Sequence, residues 1–200
     1  MKKKHVLLLG DSSRMLYEDY VREKLPEVVV DTPDENCRFS AYMLNSLRFW
    51  LPNFEKPDVI HINCGLWDTA CLYVDDGPFT PIEDFVRNMC SVVRELQRFG
   101  VPIIYATSTP VKAELIKAVA TPSVDAPDAA TVFKQDNARI AQYNAAVTEA
   151  LQKRGVIIND LHGLIAPRME ELISPDGIHL NSEGVAICGD AVVEHVKKFL

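Results

Sequence analysis

Residues 5–12 read HVLLLGDS, and this stretch decides the fold because an uninterrupted apolar run leads directly into a glycine turn and a serine. A short run that is apolar throughout is typical of a strand buried on both faces of a parallel sheet. Four more short apolar runs follow, most of them rich in β-branched residues. The five predicted strands are residues 5–9, 27–30, 58–63, 102–107 and 156–159.

Helical patterns alternate with these strands. Apolar residues three and four positions apart run from Ile82 to Phe99, and Gly100 then ends that helix. A second helix is predicted from Ile140 to Leu151, and a last one is expected to begin with Ser182 as its cap. Because parallel strands need crossover connections, the alternation predicts an α/β fold. We expect one domain over residues 1–200, with helices on both faces of a five-stranded parallel sheet.

Charge and hydropathy exclude several classes of protein. The 200 residues carry a net charge of −7, with scattered basic residues, which argues against nucleic acid or an anionic membrane as a partner. Neither a signal peptide nor an apolar stretch of about 20 residues is visible, so a cytoplasmic location is expected. The composition leaves homo-oligomer formation open.

The cysteines and histidines predict neither a metal site nor a disulfide framework. The five cysteines are an odd number without CxxC spacing, and we expect them to be reduced thiols. The histidines show no metal-ligand spacing, and no glycine-rich phosphate loop is present. We therefore expect no cofactor and no metal.

The serine that follows the first predicted strand is a candidate nucleophile. Gly10 permits a tight backbone approach there, and the Ser12 amide would lie near the N-terminus of the next helix, where negative charge is stabilised. The alternative is that Ser12 only caps that helix.

A second polar cluster lies near the other end of the chain, where residues 174–180 read SPDGIHL. Asp176 stands three residues before His179 with a glycine between them, so its carboxylate can fold back onto the imidazole. That pairing would fix the ring tautomer and prepare the ring to take a proton from a serine. The alternative is a simple turn in which Asp176 is an Asx cap and His179 is half-exposed without a role.

These two segments resemble the first and last signature blocks of the SGNH/GDSL hydrolases, with GDS at residues 10–12 and DGIH at residues 176–179. The resemblance spans almost the whole chain. It implies a three-layer, flavodoxin-like fold and the hydrolysis of carboxylic esters. It also implies that Ser12 is the nucleophile, His179 the general base and Asp176 the residue that orients it.

The second block of that family, which contributes a glycine amide to the oxyanion hole, departs from the pattern here. The corresponding residues 34–40 read DENCRFS and contain no glycine. We expect the amide of Cys37 or of Arg38 to be the donor, since a backbone N–H needs no glycine unless φ is positive. The Ser12 amide is the other expected backbone donor.

The third block is normally Gly-x-Asn-Asp, and its asparagine side chain is the last oxyanion donor. Residues 63–68 read NCGLWD, which places Trp67 at the asparagine position and resembles a variant branch of the superfamily. An indole N–H can donate, but we expect the Asn63 side chain to be the donor. The alternative is that Asn63 only ties down a loop.

The expected substrate-binding residues are Arg38, Trp67 and Asp68. A guanidinium can bind a carboxylate or hydroxyl groups, and an indole can stack on a sugar ring. These residue types favour a small-molecule substrate, a short-chain or acetyl ester such as an acetylated carbohydrate.

Two other functions stay open at this point. The altered middle blocks fit a catalytically degenerate α/β binding module of the same fold, and the fold itself fits a flavin or nucleotide binder. Residues 108–135 contain Pro110, Pro122 and Pro127 and are predicted to form one long loop. Such a loop is either a lid or partner-contacting arm or plain surface.

Overall fold

The computed structural model of the protein describes residues 3–71, 77–116 and 134–200. Within these ranges the strands are β1 (Lys4–Leu9), β2 (Val28–Asp31), β3 (Val59–Asn63), β4 (Ile103–Ala106) and β5 (Ile157–Asn159). The helices are α1 (Ser12–Lys24), α2 (Ser40–Trp50), α3 (Ile82–Leu96), α4 (Asn137–Gln152), α5 (Leu161–Ile165), α6 (Met169–Leu172) and α7 (Ser182–Lys197). Much of the predicted 108–135 loop, residues 117–133, lies outside the described residues.

The five strands form one parallel sheet in the order β2-β1-β3-β4-β5. Leu7 of β1 pairs with Asp31 of β2 on one side and with Ile60 of β3 on the other. This strand order is the flavodoxin-like one. The predicted α/β fold with a five-stranded parallel sheet is therefore confirmed, and the strand bounds differ from the prediction by one residue in most cases.

Helices cover both faces of the sheet because successive residues of each strand point to opposite sides. Leu7 and Leu9 of β1 belong to a core cluster that includes residues of α2, α3 and α4. Val6 and Leu8 belong to a second cluster, which includes residues of α1 and α7. Burial of a strand on both faces explains why its sequence is apolar throughout.

The strand order places a crevice at the carboxyl edge of the sheet. β1 is flanked by β2 and β3, and the chain leaves β1 into α1 on one face while α2 packs on the other. Ligands of such sheets bind where the connections diverge in this way. The segments that follow β1 and β3 meet there, and both were singled out from the sequence.

The last helix begins as predicted, but its cap is the preceding residue. The Asn181 side chain accepts hydrogen bonds from the amides of Glu183 and Gly184, at 3.1 and 3.0 Å. Ser182 is already the first helical residue, which corrects the expected cap. None of the helices in the described ranges is long and apolar enough to span a membrane.

Gly10 marks the closest approach of the backbone to its neighbours at the end of β1. A Cβ atom at this position would lie 2.0 Å from Asn63 Oδ1 and 2.6 Å from Arg14 Cβ. Asn63 and Arg14 are both buried, so neither side chain can move out of the way into solvent. The glycine is needed here for space, since no positive φ is recorded for it.

We expect Gly10→Ala to lower the free energy of unfolding by about 3 kcal/mol, at the upper end of the usual cost of overpacking. Urea unfolding followed by circular dichroism measures this loss. Gly155→Ala is the control, because Gly155 has a φ of 76° but nothing within 4 Å of an added Cβ. Left-handed strain alone should cost about 1 kcal/mol there. A loss at Gly10 no larger than the loss at Gly155 would show that the close approach is not a constraint.

Candidate active site

Ser12, His179 and Asp176 form a continuous hydrogen-bonded chain at the carboxyl edge of the sheet. His179 Nε2 lies 3.0 Å from Ser12 Oγ, and His179 Nδ1 lies 2.6 Å from Asp176 Oδ2. An ionised carboxylate can only accept hydrogen bonds, so in the neutral ring the proton sits on Nδ1. Nε2 then faces the serine hydroxyl with its lone pair, which is the state that a general base requires.

The loop that carries Asp176 holds the carboxylate ready for this contact. Its Oδ1 accepts hydrogen bonds from the amides of Ile178 and His179 at 2.8 and 2.9 Å and from Ser174 Oγ at 2.8 Å. Partial burial disfavours the charged form, but these donors together with the His179 ring outweigh it and hold the pKa of Asp176 well below its usual range. Asp176 is thus both the Asx cap of its turn and the partner of His179.

A neighbouring segment supports the same loop from outside. The amide of Lys112 donates to the carbonyl of Gly177 at 2.8 Å. Gly177 has a φ of 82°, and a Cβ atom there would lie 2.7 Å from the carbonyl oxygen of Lys112. Only glycine fits this position, because both the left-handed backbone and the close contact exclude a side chain. Residues 111–116 therefore support the turn between Asp176 and His179.

Ser12 is the first residue of α1 and does not cap it. The cap is Asp11, whose Oδ1 accepts a hydrogen bond from the Ser13 amide at 2.9 Å. The Ser12 amide belongs to the first turn of the helix, where N–H groups have no partner within the helix and the helix dipole favours negative charge. Its side chain is therefore available for His179, and its amide is in a suitable place for a donor.

Asn63 is tied into a buried network below Ser12. Its Nδ2 donates to Asp11 Oδ1 at 2.7 Å, and its Oδ1 accepts from the Tyr17 hydroxyl at 2.9 Å. Asp11 is 1% exposed, and burial raises its pKa in spite of these hydrogen bonds. Asn63 is itself only 4% exposed. The structure thus shows Asn63 tying the ends of β1 and β3 together, which was the alternative to the expected oxyanion donor.

Cys37 packs directly against the segment that carries the serine. Its amide donates to the carbonyl of Gly10 at 3.0 Å, and its thiol accepts from the amide of Gly10 at 3.3 Å. Burial raises the pKa of this thiol to about 12, so it is not a second nucleophile. The Cys37 amide is buried with its residue and is used to join this segment to Gly10, which corrects the expectation that it is an oxyanion donor.

Arg38 has an unusual backbone conformation at the position expected to supply the donor. Its φ is 51°, and among the described residues it is the only non-glycine residue with positive φ. The left-handed region costs a side-chain-bearing residue about 1–2 kcal/mol, which glycine avoids. The amide of Arg38 donates to Asn36 Oδ1 at 2.7 Å, and its exposed guanidinium lies 4.8 Å from the centre of the Tyr42 ring.

The two other expected substrate contacts lie in the turn after β3 and differ in accessibility. Trp67 is half-buried, so part of its side chain can be reached from solvent. Asp68 is fully buried, and its carboxylate accepts hydrogen bonds from the amide and hydroxyl of Ser40, at 3.0 and 2.6 Å. The expected substrate contact of Asp68 is therefore corrected: this carboxylate holds the N-terminus of α2 in place.

Sequence reasoning missed two charged residues beside the site. Arg14 is 1% exposed and donates to the backbone carbonyls of Pro33 and Glu35, at 3.1 and 2.5 Å. The Glu35 carboxylate accepts from the Tyr42 hydroxyl at 2.5 Å and from Trp50 Nε1 at 2.9 Å. Arg14 shares the inward face of α1 with two buried residues, Tyr17 and Val21, and that helical spacing was the available signal.

An α/β fold in which serine, histidine and aspartate side chains are joined in this order is typical of serine hydrolases. The sequence matches the GDSL-like lipase/acylhydrolase family over residues 9–187. The chain therefore belongs to this family, and its family and fold are those of ester hydrolases. No protein among the curated sequences matches this chain.

Several solved structures share the fold. A lipase/acylhydrolase from Enterococcus faecalis is 18% identical, with a TM-score of 0.75 over 98% of this chain and 96% of that one. A putative acylhydrolase from Bacteroides fragilis is 18% identical, with a TM-score of 0.69 over 98% of this chain and 87% of that chain. A catalytic mutant of an acetylxylan esterase from Geobacillus stearothermophilus is 14% identical, with a TM-score of 0.72 over 98% of this chain and 95% of that chain.

The hydrogen bonds to Glu35 predict a specific dependence of stability on pH. The Tyr42 and Trp50 donors lower the pKa of Glu35 from 4.5, so its stabilisation is complete above that pH and is lost as the pH falls through the lowered value. Wild type should therefore exceed Glu35→Gln in stability at about pH 6, and the difference should shrink at about pH 3. Urea midpoints across this range measure it. If the stability difference between wild type and Glu35→Gln did not change with pH, the lowered pKa of Glu35 would be contradicted.

Proposed function

We propose that the protein hydrolyses small carboxylic esters through a covalent acyl-enzyme formed on Ser12. The observation that carries the proposal is the Ser12–His179–Asp176 chain, with 3.0 Å from the serine to the ring and 2.6 Å from the ring to the carboxylate. Membership of the acylhydrolase family supports the same reaction.

In the first half of the reaction Ser12 Oγ attacks the carbonyl carbon of the ester. The proton of its hydroxyl passes to His179 Nε2, and the carbonyl π electrons move onto oxygen to give a tetrahedral oxyanion. Asp176 stabilises the imidazolium so formed, because its lowered pKa keeps it ionised. When the oxyanion collapses, the bond to the alcohol oxygen breaks, and His179 returns the proton to the leaving alcohol.

The oxyanion needs preorganised donors near Ser12. We assign two backbone amides: that of Ser12, in the first turn of α1, and that of Arg38. The hydrogen bonds between Cys37 and Gly10 support the assignment of Arg38. They join Cys37, the residue before Arg38, to Gly10, which lies two residues before Ser12. Arg38 N–H now donates to Asn36 Oδ1, and an N–H can be shared between two acceptors.

In the second half a water molecule takes the place of the alcohol. His179 Nε2 removes a proton from the water, whose oxygen attacks the acyl carbon of the ester on Ser12. The second oxyanion is held by the same amides. It collapses with release of the carboxylic acid, and His179 returns its proton to Ser12 Oγ. The enzyme then regains its starting state, with no change in charge or oxidation state.

A short acyl group on a carbohydrate is the substrate class we propose. Arg38 is exposed and Trp67 is half-buried, so a guanidinium and an indole are both available to a polar alcohol portion. The triad is itself open to solvent, since the side chains of His179 and Asp176 are 39% and 48% exposed. One structural neighbour is an acetylxylan esterase, an enzyme named for an acetylated carbohydrate substrate.

Ser12→Ala should abolish hydrolysis of p-nitrophenyl acetate, because it removes the nucleophile but no buried group. Release of p-nitrophenol measures turnover, and a thermal melt confirms the fold. Ser13→Ala is the matched control, since it also removes one serine hydroxyl from the first turn of α1, a hydroxyl that binds Asp11 and not His179. A fluorophosphonate probe should label wild type and Ser13→Ala but not Ser12→Ala. Full turnover in Ser12→Ala would mean that another group is the nucleophile, whereas a wild type that neither turns over the ester nor is labelled would favour a degenerate binding module.

Asp176→Asn should lower kcat by about 10⁴-fold while preserving the turn, as the same exchange does in the serine protease triad. An asparagine oxygen can still accept from the amides of Ile178 and His179, but an amide nitrogen cannot accept the Nδ1 proton of the ring. The ring then adopts the wrong tautomer. Steady-state kinetics on p-nitrophenyl acetate measures kcat, and a loss below about tenfold would contradict the role of Asp176.

A further inference from the structure

The left-handed conformation of Arg38 needs a structural cause. Its φ of 51° would suit glycine, yet this residue carries a long side chain that is exposed. A strained backbone persists only where its surroundings determine it fully. The structure should therefore contain contacts that hold residues 33–38 in place, and two groups of such contacts are present.

The first group comes from α1. The guanidinium of Arg14, two residues after Ser12, reaches out of the helix and donates to the carbonyls of Pro33 and Glu35, at 3.1 and 2.5 Å. Arg14 also pairs with Glu18 on the next turn of its own helix, which fixes the direction of the guanidinium. Because Arg14 is 1% exposed, these contacts are shielded from water. They tie the loop to the helix that begins at Ser12.

The second group comes from α2. The carboxylate of Glu35 accepts hydrogen bonds from the Tyr42 hydroxyl and from Trp50 Nε1, at 2.5 and 2.9 Å. The Tyr42 ring also lies beneath the Arg38 guanidinium, 4.8 Å from ring centre to guanidinium carbon. Tyr42 thus contacts residues three positions apart in the loop, one through its hydroxyl and the other through its ring face. Glu35 is held through its carbonyl by α1 and through its carboxylate by α2.

We propose that Arg14 and Glu35 are positioning residues, which together hold the amide of Arg38 in the left-handed conformation that the oxyanion site requires. A glycine would reach this conformation without support. Arg38 reaches it because Arg14, paired with Glu18, holds the carbonyls of Pro33 and Glu35, and because its own guanidinium stacks on the Tyr42 ring. The inference rests on the proposed function, because it takes the Arg38 amide to be an oxyanion donor. Neither Arg14 nor Glu35 touches the substrate.

A kinetic cycle between Glu35 and residue 38 tests the proposal. Glu35→Ala should lower kcat on p-nitrophenyl acetate by about tenfold or more with little change in KM, since loss of a donor acts on the transition state. In the Arg38→Gly background the same change should lower kcat by about threefold or less, because glycine needs no support to adopt positive φ. Comparison within each background removes any effect of the arginine side chain itself.

Two milder variants provide the control. Tyr42→Phe removes only the hydroxyl bond to Glu35, and Tyr20→Phe removes a similar bond to a carboxylate, that of Asp190, at 2.9 Å on an exposed part of α1. Tyr42→Phe should lower kcat, and Tyr20→Phe should not. Both leave the ring in place, so the test survives even if Glu35→Ala does not fold.

The proposal is overturned if Glu35→Ala loses kcat equally in both backgrounds, or if Tyr42→Phe and Tyr20→Phe behave alike. Either result would mean that Glu35 has only a general structural role. This failure is distinct from failure of the proposed function. If Ser12→Ala retained turnover, the proposed reaction itself would be wrong. If Ser12→Ala were inactive and unlabelled while either of the two contradicting results was found, the reaction would stand and only the positioning role of Arg14 and Glu35 would fail.

Discussion

The close approach at Gly10 is the constraint on which the rest of the site depends. At this residue the end of β1 meets Asn63 from β3 and the first turn of α1, with no room for a Cβ atom. The same residue exchanges two hydrogen bonds with Cys37, through its carbonyl and its amide. The nucleophile turn, the end of β3 and the loop before α2 are therefore fixed relative to one another by a single residue without a side chain.

A buried polar network extends this constraint below the serine. Asp11 caps α1 and binds Asn63, which in turn binds Tyr17. The helix α1 and the ends of β1 and β3 therefore share one set of hydrogen bonds. Buried polar groups are costly unless they are fully bonded, and a satisfied network fixes a single geometry. The triad lies above this rigid base. Its histidine and aspartate come from a separate loop that begins after α6 and ends at α7.

The fold and the hydrogen-bonded chain of Ser12, His179 and Asp176 could be predicted from the sequence because their signals are local. Strands buried on both faces are apolar throughout. Within the GDS segment, and within the DGIH segment, the important residues are close neighbours in the sequence. The oxyanion region could not be predicted in the same way. Whether Cys37, Arg38 or Asn63 donates depends on which of their hydrogen bonds are already made, and those involve Gly10, Asn36 and Asp11. The burial of Asp68 likewise depends on where α2 packs.

The most direct test of the central claim is to trap the acyl-enzyme. The protein is mixed with p-nitrophenyl acetate, quenched in acid within the first turnover, digested and examined by mass spectrometry. Because the ester linkage survives in acid, the account predicts one acetyl group on the peptide that contains Ser12. Acetyl transfer to another residue, or turnover with no acetylated peptide at any time, would contradict it.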